Sequence, residues 1–90
     1  MKDKAITLLN RIVSKERYER IGRFNDRHLG DVYFAEKPQG DHWSIIWAAR
    51  NELQELECFA ATTQKQRMDA AYQHCQTWFR DLDNVAKIIH

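Results

Sequence analysis

Ninety residues, 43% hydrophobic and 30% charged, with one proline and three glycines, describe a single globular domain, 1–90, whose core must be thin. A net charge of +1 and ample aromatic content exclude a disordered chain, and no run approaches the roughly 18 apolar residues of a membrane span. Two cysteines, Cys58 and Cys75, are too few for a disulfide framework, and no signal-type apolar core follows Met1-Lys2-Asp3-Lys4, so a reducing, cytoplasmic setting is expected.

The first element is predicted as a helix from about Asp3 to Gly22. Ala5, Leu8, Leu9, Ile12 and Val13 recur at helical spacing, with Asn10, Arg11, Ser14 and Lys15 opposite. Tyr18 and Ile21 fall off that stripe, which suggests a bend or restart near Ser14. Gly22 suits a helix C′ position, and Phe24 to Asp31 reads as loop from its Asn, Asp and Gly content. Three strands follow. Val32 to Ala35 is short and β-prone. After the Lys37-Pro38-Gln39-Gly40-Asp41 turn cluster comes His42 to Arg50, with Trp43, Ile45, Trp47 and Ala49 on one face and Ser44, Ile46 and Ala48 on the other. Leu53 to Ala61 sets Glu55, Glu57 and Phe59 against Leu56, Cys58 and Ala60.

The last element is a helix opened by a capping box, Thr63 with Gln66, and carrying a stripe of Met68, Ala71, Tyr72, Cys75, Trp78, Phe79 and Leu82. Asp83-Asn84 marks an end or interruption, with residues 85–89 either continuing the helix or packing as a tail. The expected fold is α+β: a two-layer sandwich of order α-β-β-β-α, with both helices on one face of a three-stranded antiparallel meander.

That arrangement leaves a mismatch. The central strand is apolar on both faces, and one helical layer covers only one. The uncovered face would then meet another molecule, which points to protein–protein interaction or a homodimer through Trp43, Ile45 and Trp47. Such a module would act as a regulator, inhibitor or adaptor rather than as an enzyme.

Charge supplies the alternative. Residues 1–30 hold eight bases and four acids (+4), residues 31–60 two bases and six acids (−4), and residues 61–90 four and three (+1). The run Arg11, Lys15, Arg17, Arg20, Arg23 and Arg27 could follow phosphates, so nucleic-acid binding by a basic N-terminal helix is the second expectation. The helix–strands–helix order, Leu8-Leu9-Asn10, Tyr33 followed by Gly40-Asp41-His42, and Ala70-Ala71 resemble the double-stranded-RNA-binding domain, which implies an RNA duplex as partner. The family's lysine-rich start to its second helix is here Thr62-Thr63-Gln64-Lys65-Gln66-Arg67, without the glycines that precede it, so no binding site is carried over.

Neither a metal nor a cofactor is expected. His28, His42, His74, His90, Cys58 and Cys75 show no C-x2-C or H-x3-H spacing, and His74 and Cys75, adjacent on a helix, diverge by about 100°. Gly40-Asp41-His42 and the Glu55/Glu57 pair have the residue types of acid–base chemistry but no nucleophile motif beside them, and a small enzyme ranks third.

Overall fold

The computed structural model describes residues 4–89, with side chains described for residues 4–85. The order is α1 (Lys4–Glu16), β1 (Glu19–Asp26), β2 (Gly30–Gln39), β3 (His42–Ala49), β4 (Glu52–Phe59) and α2 (Gln64–Ile89). The four strands form one antiparallel sheet in the order β1-β2-β3-β4. The fold is α+β with four strands rather than three. The predicted start of the first helix at Asp3 and the possible ligand His90 lie outside the described residues.

The additional strand comes from the segment expected to be helix end and loop. α1 stops at Glu16 because Arg17 takes a left-handed conformation (φ 60). Gly22 does not cap it. Gly22 sits instead at an irregularity in the β1–β2 ladder between Arg20 and Gly22, where an added Cβ would come 2.9 Å from the Met68 Cε. β1 is an edge strand in which only Asp26 is buried, so it lacks the apolar alternation that marks a strand in sequence. The loss of helical phase at Tyr18 and Ile21 was the visible trace of the change.

The two-layer expectation also fails: the helices cover opposite faces of the sheet. Ala71, Cys75 and Phe79 of α2 pack with Val32, Phe34, Ile45, Trp47 and Ala49. Ala5 and Leu9 of α1 pack with Tyr18, Ala35, Ile46 and Ala48. Alternate residues of β3 enter alternate cores, so the strand that was apolar on both sides is covered on both sides. Small residues set the approach of α1, since Ala5, Ala35 and Ala48 are all buried there, while the bulk of Trp47 and Phe34 faces α2.

Each connection has its local cause. Arg50 and Asn51 (φ 48 and 67) make a two-residue hairpin between β3 and β4, and the Asn51 Oδ1 accepts the backbone N–H of Lys4 at 2.9 Å, which anchors the start of α1. Asp26 closes the β1–β2 turn by accepting the backbone N–H groups of His28 and Leu29 at 2.7 and 2.8 Å. The capping box is formed: Gln66 N–H donates to the Thr63 Oγ1 (3.1 Å) and Thr63 N–H to the Gln66 Oε1 (2.8 Å). α2 runs without interruption past Asp83-Asn84 to Ile89.

Candidate functional site

The tryptophan face is where the sequence placed the interaction surface. Trp47 and Ile45 are fully buried under α2 and present no surface to a partner. The Trp47 indole N–H donates to the His74 Nδ1 at 2.9 Å, and its ring lies 5.8 Å from that of Phe79. Trp43 is half-buried. Its ring carries the Arg67 guanidinium at 3.7 Å, and its N–H donates to the Ala60 carbonyl at 3.3 Å. Beneath it lies a buried ion pair that the sequence did not reveal: Arg67 donates to both Glu36 oxygens, from Nε at 2.6 Å and from a terminal nitrogen at 3.0 Å. This cluster ties the start of α2 to β2.

The basic run is divided. Arg20 donates to the Asn10 side chain, which puts β1 beside one flank of α1. Arg11 and Lys15 project from the other side of that helix, with Leu8 and Lys4, toward β4. Arg20 and Arg23, paired with Ala35 and Tyr33, share the α1 face of β1. Arg23 lies 3.9 Å from Asp31, and Arg17 and Arg27 are exposed just beyond the two ends of the strand.

The groups with acid–base character are mostly tied to one another. Asp26 also accepts the Tyr72 hydroxyl, and that bond together with the two backbone donors holds its carboxyl below the usual carboxylate range, while the same bond pushes the Tyr72 phenol up. A carboxylate lowered on folding contributes stability above the ordinary carboxylate range, and the contribution is lost as pH falls through its lowered native value. Asp26→Asn is therefore expected to flatten the acid limb of the stability–pH curve, measured by denaturant unfolding at a series of pH values. Ser44 is buried between the Tyr18 hydroxyl (2.7 Å) and Glu55 (3.0 Å). His42 contacts Asp41 at 3.2 Å and Glu57 at 3.4 Å, beside Phe59, which is 83% exposed. Among the described residues no three His, Cys, Asp or Glu side chains converge to hold a metal ion.

Both cysteines are free. Burial pushes the Cys75 thiol up to about 12 and raises Cys58 as well. In the native protein at pH 8, Cys75 is expected to react with a thiol reagent only at the rate of unfolding, which a labelling time course with mass-spectrometric readout checks.

A surface that sequence patterning marked as core stands out at the end of α2. Its 26 residues extend about 39 Å at 1.5 Å each, against about 26 Å for an eight-residue strand. The apolar stripe that packs on the sheet at Ala71 and Cys75 continues through Trp78 to Leu82 and Val85, which are 44% and 51% exposed. Trp78, Asp81, Leu82 and Val85 line a hollow of about 170 Å³. Among the described residues the Trp78 indole N–H is buried without an acceptor. On the other side of α2, Phe79, Gln76, Arg80 and Asp83 face Asp26, His28 and Arg50 across a second cleft of about 320 Å³.

No helix of the described residues is long and apolar enough to cross a membrane. No family model matches the sequence, and neither a curated protein nor a solved structure matches it. The helix–three strands–helix order on which the resemblance to the double-stranded-RNA-binding domain rested is replaced by four strands with a helix on each face.

Proposed function

We propose that the protein is a non-catalytic protein-binding module that acts through the far end of α2. The observation that carries this reading is the continuation of the core stripe beyond the sheet, with Leu82 and Val85 left about half exposed beside Trp78. An apolar patch at the end of an otherwise charged helix is the composition of an interface centre. The convergent polar groups elsewhere support binding over catalysis, because Glu36 with Arg67, Ser44 with Tyr18, and Asp26 with Tyr72 are engaged in holding the fold.

Leu82→Lys with Val85→Lys tests it. Both positions are exposed, so the change in folding stability is expected to stay within about 0.5 kcal/mol. Association, followed by light scattering over a concentration series, is expected to be lost. Association that survives the double substitution counts against the α2 end.

A second reading, nucleic-acid binding, is favoured by one observation: Arg17, Arg20, Arg23 and Arg27 follow one another along β1 and its ends. It requires binding to duplex RNA or DNA that weakens steeply with salt. No binding at low salt ends it.

A further inference from the structure

We infer that the partner of the α2 end is a second copy of this chain, docked through the outer flank of its α1; the inference rests on the reading that the α2 end is a binding surface. Two hollows match. One is lined by Trp78, Asp81, Leu82 and Val85, and holds a carboxylate and no base. The other, on α1, is lined by Lys4, Leu8 and Arg11 with Thr7, and holds two bases and no acid. Each has a leucine near its centre that is a little over two-fifths exposed: Leu82 at 44% and Leu8 at 43%. Apolar contact between leucines, flanked by opposite charges, is the complementarity of a protein interface.

The topology lets this contact close on itself. α1 begins at the β3–β4 turn, where Lys4 meets Asn51. The far half of α2 leaves the sheet at the same end, beside Arg50 of that turn and His28 of the β1–β2 turn. The two helices lie on opposite faces. A two-fold axis in the plane of the sheet, across the strands and just beyond this end, inverts the strand direction and exchanges the faces. It brings the α1 of one copy to the face on which the α2 of the other overhangs.

The lateral positions also agree. Asn10 meets Arg20 of β1, so the Leu8 flank of α1 lies toward β4. Tyr72 meets Asp26 of β1, so the Trp78–Leu82 flank of α2 lies toward β4 as well. Rotation about that axis leaves the β4 side on the β4 side. The α1–α2 contact therefore occurs twice in one closed, isologous dimer, doubling the area buried.

A charge exchange tests it on the full chain by sedimentation equilibrium. The wild type is expected to approach twice the 10.8 kDa chain mass as concentration rises. Lys4→Glu with Arg11→Glu makes both surfaces acidic, and Asp81→Arg makes both basic. Each variant alone is expected to weaken self-association about tenfold or more, and an equimolar mixture to restore it, since every contact in the mixed dimer is again acid against base. Circular dichroism confirms that each variant is folded, and Leu8→Lys gives an uncoupled second route to the same loss. A wild type that stays monomeric at every concentration overturns the inference. Dimerisation that survives the α1 substitutions but is lost in Leu82→Lys overturns α1 as the counterpart and leaves the α2 end as a binding surface. Dimerisation untouched by Leu82→Lys overturns both.

Discussion

Glu36→Ala is expected to destabilise the domain by about 3–5 kcal/mol, because it leaves the buried Arg67 guanidinium without its counter-ion. The side chains of Arg67 and Glu36 are 6% and 3% exposed, and they meet through two parallel bonds. Arg67 also donates to the Thr62 carbonyl and stacks on Trp43, so one side chain joins the start of α2, β2 and β3. Against a typical total of about 5–15 kcal/mol, a loss of this size unfolds much of the population. Arg67→Met is expected to behave similarly. The double variant Glu36→Leu with Arg67→Met is expected to lose less than either single change, since no charge is then buried alone. Urea unfolding of the four proteins yields the coupling directly. Additive losses would show that the pair acts as two independent contacts.

Trp47→Ala is the second large effect, at about 3–5 kcal/mol for a truncated core aromatic. Trp47 is wholly buried, packs on Phe79 and donates to His74. Were the tryptophan face a docking surface, the same substitution would weaken association and leave the monomer stable. Trp78→Phe makes the contrast: it removes an indole N–H that is buried without an acceptor among the described residues, so its cost is expected to fall well below that of Trp47→Ala. Chemical denaturation of the two variants side by side settles the order.

The legible parts of the fold were those whose residues carry strong local patterns. The alternation of His42 to Arg50 sorted correctly into two faces, and Thr63 with Gln66 marked the start of α2. β1 stayed hidden because an edge strand with polar side chains on both faces has no period to read, and because Arg17 ends α1 in a conformation usually left to glycine or asparagine. The mismatch between faces and helices was a sound observation with the wrong resolution. Nothing in the pattern of a meander says on which face each terminal helix lies. The Ala5, Ala35 and Ala48 contact that seats α1 on the second face is made of residues too small to stand out.

The candidate site was legible only as core. Trp78 and Leu82 belong to the same helical stripe as Cys75, and periodicity carries no information about where the sheet beneath them ends. The Glu36–Arg67 pair was hidden for a related reason, since its partners are 31 residues apart and each sits in an ordinary polar stretch.

The central claim is that the end of α2, and not the tryptophan face of the sheet, is the surface this protein presents to a partner. The three indole N–H groups of Trp43, Trp47 and Trp78 report on it in one experiment: a concentration series of nitrogen-15 correlation spectra. On dilution the Trp78 signal is expected to move together with the amides of Leu82 and Val85, while the Trp47 and Trp43 signals stay in place. A shift at Trp43 with Trp78 unmoved would contradict the account and return the interaction to the sheet.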